Sequence, residues 1–223
     1  MNKKLSVLAL LLAGANLSGH ATSSWGGPYV GATLNYQPIK YDLTCDNDFD
    51  NPDRKMIKAK STRNFGGSLL FGHNLTSGNF IYGAELDIGT GVSGKTTALE
   101  DLGAADENGI KIKAQYLSHA RARFGYVMFD NFMPYGGFGL SAGQFKIQAY
   151  KNDEPEHNFK RKDFIILGTS IFLGAEYSMN NDWKARLEFS HDKLSTLTTN
   201  SSDNSIMIKP NINGLKVGLS YKL

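Results

Sequence analysis

The last nine residues of the chain, Leu215-Lys-Val-Gly-Leu-Ser-Tyr-Lys-Leu223, alternate without interruption. Five apolar residues share one parity: Leu215, Val217, Leu219, Tyr221 and Leu223. The positions between them hold lysine, glycine or serine. Because successive side chains of a β-strand point to opposite faces, this stretch predicts a strand with one apolar and one polar face. The rest of the chain decides whether the apolar face packs inside a soluble sandwich or meets lipid.

The chain begins with the features of a secretory signal peptide. Lys3 and Lys4 precede a short apolar run over residues 5–12, and small residues follow as far as Ala21. This run is too short to span a bilayer as a helix, which needs roughly 20 apolar residues. We predict cleavage after Ala21, with cleavage after Ala15 as the alternative. Residues 1–21 would then be removed, and residues 22–223 would form one exported domain.

The composition narrows the class of protein further. The chain has 24 Gly, 13 Phe and 10 Tyr but one Cys, and its net charge is +3. The mean hydropathy of -0.31 does not exclude a membrane, because a barrel needs apolar residues only at every second position. Cys45 has no partner for a disulfide, and we interpret it as a surface thiol in a loop. The basic residues are scattered, which argues against a nucleic-acid partner.

Alternation bounded by turn residues predicts eight strands. They span residues 29–36, 64–72, 80–90, 112–127, 133–146, 165–179, 183–189 and 215–223. The connections at 73–79, 129–132 and 180–182 are short, and four longer ones lie between them. Short turns at one end and long loops at the other are typical of outer-membrane barrels. The predicted fold is all-β: an eight-stranded antiparallel up-and-down transmembrane β-barrel with short periplasmic turns and four long extracellular loops.

Aromatic residues support the same orientation. Five of them combine the apolar parity with a position near the short turns: Tyr82, Tyr126, Tyr177, Trp183 and Tyr221. Amphipathic rings favour the membrane interface, so these residues are predicted to form a periplasmic aromatic girdle.

The polar face carries charges of both signs on neighbouring strands. Eight of these residues form a predicted lumen ion-pair ladder: Glu85, Asp87, Arg121, Arg123, Glu176, Lys184, Arg186 and Glu188. His119 shares the polar face of the fourth strand. The interior of an eight-stranded barrel is only wide enough for side chains to fill, and buried charges must be paired. We therefore predict a plugged lumen in which these charges have a structural role.

The sequence offers little for catalysis, cofactors or metals. The glycine-rich stretch over residues 136–143 is not followed by a helix, as a nucleotide-binding loop would require. No His and Cys residues have the spacing of metal ligands. The best hydrolase candidate is Ser190-His191-Asp192, although Lys193 leaves it without the His-x-Ser spacing of barrel deacylases. We predict no catalytic residue, no cofactor and no metal.

Several motifs carry a family resemblance. Trp25-Gly-Gly-Pro-Tyr-Val-Gly31 looks like an opening strand, and Arg121-Ala-Arg-Phe-Gly-Tyr126 with Pro134-Tyr-Gly-Gly137 looks like a central hairpin. Gly174-Ala-Glu-Tyr177 and Glu188-Phe189 match later strands. In this order they resemble the opacity/porin-like family of small outer-membrane β-barrel proteins of proteobacteria. The resemblance implies an abundant integral protein of the outer membrane of a Gram-negative bacterium.

These features favour a non-enzymatic structural envelope component whose extracellular loops serve surface recognition or adhesion. The alternatives are a small-solute porin and, less favoured, a lipid-modifying barrel enzyme. The expected partners are outer-membrane lipid and lipopolysaccharide, with a host or environmental surface ligand at the loops, and the expected state is a monomer. Lys146 and the lysines at 160 and 162 are candidates for contact with lipopolysaccharide phosphates. The mixed charges over residues 46–60 mark the first loop as a recognition candidate, although a solvated loop also explains them.

Overall fold

The computed structural model of the chain describes residues 24–47, 55–58, 63–92, 97–98, 108–151, 162–201 and 204–223. Over these ranges the chain forms twelve strands: β1 (Gly27–Tyr36), β2 (Ile39–Asn47), β3 (Lys55–Lys58), β4 (Phe65–Ser77), β5 (Phe80–Val92), β6 (Thr97–Ala98), β7 (Asn108–Tyr126), β8 (Phe132–Lys151), β9 (Lys162–Ser178), β10 (Trp183–Leu194), β11 (Leu197–Ser201) and β12 (Asn204–Lys222). Within the same ranges no helix is long and apolar enough to cross a membrane. The predicted signal peptide and its cleavage site lie outside the described residues.

Eight of these strands close into a barrel. Their order around the wall is β1-β4-β5-β7-β8-β9-β10-β12, and β12 pairs back with β1. The closing register sets Val30 opposite Tyr221 and Leu34 opposite Val217. Every pairing is antiparallel between neighbours, so the predicted eight-stranded up-and-down barrel is confirmed. Closure leaves no barrel edge unpaired.

The start of β1 and the end of β12 lie at the same end of the barrel as the short turns. The backbone N–H of Lys222 donates to the carbonyl of Asp182 at 2.9 Å, and that of Leu223 donates to Pro28 at 2.9 Å. The turn predicted over residues 73–79 is wrong in extent, because β4 continues to Ser77 and only two residues separate it from β5. Gly78 adopts a positive φ of 59° there, which makes so tight a turn possible.

The strands rise further toward the loop end than alternation predicted. The strand predicted over 215–223 begins at Asn204, and β2 pairs with its upper half from Ile39 opposite Ile212 to Asn47 opposite Asn204. The strands β3, β6 and β11 add short pairings at the same end. Cys45 therefore lies within β2, and its predicted position in a loop is wrong.

The two faces of the wall have inverted polarity. Outward-facing Leu34, Leu69 and Ile165 are 77%, 71% and 74% exposed, whereas the inward-facing residues are buried and mostly charged or polar. The charged middle of the lumen lies between two apolar layers. The layer near the short turns consists of Trp25, Ile81, Met133, Tyr135 and Phe172. Near the loops, the buried apolar residues include Ile39, Tyr41, Phe145, Leu194 and Ile212.

Candidate functional site

Glu85 is at the centre of the lumen charges. It lies on β5, buried, with Arg121 as its register partner on β7. One oxygen, Oε1, lies 2.7 Å from Arg121 Nη2, and Oε2 lies 2.8 Å from Arg186 Nη1. The Tyr29 hydroxyl donates to the same Oε2 at 2.8 Å. Because Arg186 lies on β10, four places around the ring from β5, this contact joins opposite walls of the barrel.

A second group forms around Asp87, two residues further along β5. Its Oδ2 accepts from Lys216 Nζ and lies 3.2 Å from Arg121 Nη2. His119 stands between Asp87 and Asp192, with Nδ1 3.6 Å from the former and Nε2 3.1 Å from the latter. Asp87 and Asp192 are fully buried. The imidazole thereby links the carboxylates of two distant strands.

The remaining carboxylates belong to β9 and β10. Glu188 Oε1 lies 2.6 Å from Arg121 Nη1, and its Oε2 accepts from the Tyr135 hydroxyl at 2.9 Å. Glu176 Oε2 lies 3.0 Å from Arg123 Nη2. The guanidinium of Arg123 also packs over the Tyr135 ring, 4.4 Å from the ring centroid, in a cation–π contact.

Seven of the eight residues of the predicted ladder meet in this network. Lys184 lies outside the closest contacts, with Nζ 5.3 Å from the centroid of the Trp25 ring in the apolar layer below. The predicted ladder left out five members: Tyr29, His119, Tyr135, Asp192 and Lys216. The polar parity of His119 and Lys216 was visible in the alternation. Parity alone did not reveal which distant strands these residues reach.

Glycines give the two lumen tyrosines their space. A Cβ at Gly72 would lie 2.3 Å from the Tyr29 ring, and a Cβ at Gly174 would lie 2.7 Å from the Tyr135 hydroxyl. Each glycine is the register partner of the tyrosine that covers it. The tyrosine rings therefore lie flat against neighbouring strands, and their hydroxyls reach the carboxylates. This close approach accounts for glycine within otherwise regular strands.

The periplasmic mouth is closed by Trp25. Its side chain is 4% exposed, and its Nε1 donates to the carbonyl of Asp130 at 3.2 Å. The Asn74 amide donates to the Trp25 carbonyl at 3.1 Å. Asp130 and Phe129 both have positive φ, 62° and 52°, and form the tight β7–β8 turn. Trp25 is thus held inside the mouth by the β7–β8 turn and by β4.

The residues of the predicted girdle all point outward near the short turns and are between 37% and 49% exposed: Tyr82, Tyr126, Tyr177, Trp183 and Tyr221. Trp183 and Tyr221 are register partners whose ring centroids lie 5.1 Å apart. Phe80 packs against Tyr126 at 5.0 Å. Sequence reasoning missed Phe80 and Phe132, which are exposed at the same level.

The structure separates the members of the predicted hydrolase candidate. Ser190 and Asp192 face the lumen, where they are fully buried. His191 faces outward, and its Nδ1 lies 2.7 Å from the Asn213 side-chain oxygen. Strand alternation places the imidazole on the opposite side of the wall from the hydroxyl, so the three residues form no triad. Among the described residues, no group of three or more His, Cys, Asp or Glu side chains has the arrangement of a metal site.

Solved structures of outer-membrane barrels share this fold. OprG from Pseudomonas aeruginosa superposes with a TM-score of 0.57 at 13% identity, covering 89% of this chain and 96% of that one. Neisserial surface protein A superposes with a TM-score of 0.52 at 11% identity, covering 88% and 97%. The outer membrane protease OmpT from Escherichia coli reaches 0.50 at 11% identity, covering 93% and 99%. At these identities the likeness establishes the fold alone.

Sequence comparison finds nearer relatives. The 31 kDa outer-membrane immunogenic protein of Brucella melitensis is 30% identical over 208 residues, which cover 90% of this chain and 85% of the relative. The 22 kDa outer membrane protein of Rhizobium leguminosarum bv. viciae is 27% identical, covering 89% and 78%. A family model described as outer membrane protein beta-barrel domain matches residues 7–222. The chain is therefore a Gram-negative outer-membrane protein that belongs to the outer membrane protein beta-barrel domain family.

Proposed function

We propose that this protein is a non-enzymatic component of the outer membrane that stabilises the envelope and presents its extracellular loops for recognition or adhesion. The observation that carries the proposal is an ion pair between residues of opposite walls. Glu85 Oε2 lies 2.8 Å from Arg186 Nη1. Side chains that meet across the lumen leave no wide aqueous path along the barrel axis. The loops are then the part of the molecule available to partners.

The protein's loop end supports a recognition role. There the barrel wall continues above the end of β1 as a small sheet. Its strands pair in the order β11-β12-β2-β3. The Brucella relative is named an immunogenic protein. We propose that the loop end of this chain is accessible to large molecules outside the cell, and the name of this relative supports the proposal. The charged run over residues 46–60, which lies partly outside the described residues, belongs to this end.

A replacement between β2 and β3 tests the recognition role. Residues 48–54 connect the two strands, and exchanging them for a glycine-serine linker keeps β2 paired with β12. We expect surface binding by cells that express the variant to fall while the amount of folded barrel stays constant. A matched exchange of residues 179–182 at the periplasmic end serves as the control. Unchanged surface binding after the first exchange would remove this connection from the proposal.

The porin alternative predicts the opposite behaviour in a bilayer. Buried ion pairs fill the middle of the lumen, and apolar layers lie above and below them. We expect the refolded mature protein to give no discrete single-channel steps in a planar bilayer. A shift in gel mobility on boiling, measured on the same sample, establishes that the barrel is folded. Reproducible steps from folded protein would overturn the closed lumen and favour a porin.

The enzyme alternative has weak support. The likeness to OmpT extends to the fold alone, and Ser190 and His191 lie on opposite faces of β10. We expect the His191→Ala variant to leave the lipid composition of the outer membrane unchanged, as measured by mass spectrometry of extracted lipid. Loss of a lipid modification in that variant would reinstate a catalytic role.

Outer-membrane lipid and lipopolysaccharide remain the proposed partners of the wall, with the barrel as a monomer. Lys146 faces outward on β8, but its register partners are Lys113 on β7 and Asp163 on β9. Lys162 begins β9, and the residues at 160 and 161 lie outside the described part of the chain. With two basic residues and one acidic residue, this row of register partners has a net charge of +1.

A further inference from the structure

The outward face changes from apolar to polar at one level on β10 and β12. Phe189 and Leu215 are register partners, exposed by 54% and 44%, and they end the apolar band on these strands. The next outward pair is His191 with Asn213, joined by a 2.7 Å hydrogen bond. In a bilayer, such a change on the lipid side of a barrel marks the boundary between acyl chains and headgroups.

Three exposed lysines lie immediately above this boundary. Lys193 on β10 is the register partner of Asn211 on β12, and Asn211 is the register partner of Lys40 on β2. Neighbouring strands are about 4.8 Å apart, so the Cα atoms of Lys193 and Lys40 are separated by about 10 Å. Lys209 lies two residues beyond Asn211 on the same face.

The local charge is positive. Asp42 is the register partner of Lys209, so three lysines and this one aspartate sum to +2. Lysine ammonium groups form charge-assisted hydrogen bonds to phosphate oxygens, and their flexible stems let several of them reach one anion. The outward position excludes a partner in the lumen. At this height the molecules beside the wall are the lipids of the outer leaflet.

We propose that Lys40, Lys193 and Lys209 form a binding site for the phosphate groups of a lipopolysaccharide molecule. Its acyl chains lie on the apolar band below, over Phe189 and Leu215. The amides of Asn211 and Asn213 stand at the level of the sugar hydroxyls. This site makes the proposed contact with lipopolysaccharide specific. It rests on the proposed function, in which the loops face the outside of the cell. Only β9 lies between the strand of Lys193 and that of Lys146, the position that sequence reasoning favoured.

A charge-matched pair of variants tests the site. The test variant carries Lys40→Gln, Lys193→Gln and Lys209→Gln. The control carries Lys111→Gln, Lys113→Gln and Lys146→Gln, which remove the same charge from the β7–β8 side. Folded protein in detergent is titrated with deep-rough lipopolysaccharide carrying both lipid A phosphates, and bound lipid is counted by native mass spectrometry. Gel mobility without boiling establishes that each variant is folded.

We expect the test variant to bind lipopolysaccharide roughly a hundredfold more weakly than the natural protein, since each of its three lost basic residues contributes about 1 kcal/mol near an anionic lipid surface and about 1.4 kcal/mol is a factor of ten in affinity. The control should stay within about twofold of the natural protein, and dephosphorylated lipid A should bind the natural protein weakly. Equal weakening in both variants would show unspecific charge attraction and overturn the site. Equal competition by phosphatidylglycerol would do the same. Bilayer conductance is independent of this result, so an open lumen would contradict the proposed function without affecting the lysine site.

Discussion

At the scale of single residues, alternation predicted which side chains face the lumen but not which of them meet. Glu85 and Arg121 are cross-strand neighbours, and both were in the predicted ladder. Lys216 and Asp87 lie on strands three places apart around the ring, and their contact depends on the stagger of the whole barrel. That stagger is a property of all eight pairings together. Sequence parity therefore cannot pair distant strands.

A double-mutant cycle measures the pairing of Arg123 with Glu176. Removing one partner of a buried ion pair leaves an uncompensated charge, so Arg123→Met should lower the free energy of unfolding by about 3 kcal/mol. Adding Glu176→Gln should restore part of that loss, because the carboxylate that lacked a partner is then gone. Urea unfolding in lipid vesicles gives the values. Exposed Arg63 is the control, and Arg63→Met should change stability by less than about 0.5 kcal/mol. Strictly additive losses would mean that Arg123 and Glu176 are not coupled.

At the scale of the strand, the apolar band was predicted well and the strand ends poorly. Above the band the outward positions are polar, as at exposed Lys40 on β2, while Ile39 and Tyr41 beside it stay buried. The outward apolar stripe therefore disappears although backbone pairing of β2 with β12 continues. The turn predicted over residues 73–79 failed for a different reason. Asn74 resembles a turn residue, but it lies in β4 and donates its amide to Trp25. A polar residue that has a hydrogen-bond partner in the lumen therefore cannot be distinguished by composition from a residue in a loop.

The β7–β8 turn offers a stability test at this scale. Asp130 adopts a positive φ of 62°, which glycine adopts without the steric cost that a Cβ brings. We expect Asp130→Gly to raise the free energy of unfolding by about 1 kcal/mol. The hydrogen bond from Trp25 is to the Asp130 backbone carbonyl, so the substitution keeps it.

Asp182, in the β9–β10 turn, provides the matched control, because its φ is not positive. Asp182→Gly should bring no gain and should lower stability slightly through the added freedom of the unfolded chain. Urea unfolding of the two variants in one lipid composition gives the comparison. A gain of equal size at both positions would show that backbone strain at Asp130 is not the cause.

At the scale of the whole molecule, the inverted polarity of the wall was predictable because it follows from the repeating alternation of each strand. The sequence also indicated a filled lumen, since eight strands enclose little space. The stacking of layers inside the barrel was not predictable. Trp25 precedes β1, and nothing in its local pattern indicated that it folds back into the periplasmic mouth.

The two tryptophans allow a test of this arrangement. Trp183 faces outward and is 43% exposed, whereas Trp25 is 4% exposed inside the mouth. In vesicles of lipids brominated on the acyl chains, we expect strong quenching of Trp183 fluorescence in the Trp25→Phe variant. The Trp183→Phe variant should show little quenching, because the wall separates Trp25 from lipid. Equal quenching in both variants would contradict the position of Trp25.

The contacts across the lumen have a consequence for how the barrel is made. Glu85 and Arg186 are 101 residues apart in the chain, and Asp87 and Lys216 are 129 apart. A hairpin that forms early cannot satisfy these charges by itself, because their partners arrive with β10 and β12. Such high contact order slows folding, since the entropy of closing long loops is lost before the contacts form. Partly assembled walls hold only the pairs between neighbouring strands, such as Glu85 with Arg121. The final strand, β12, brings Lys216 to Asp87 and so completes the network as the barrel closes.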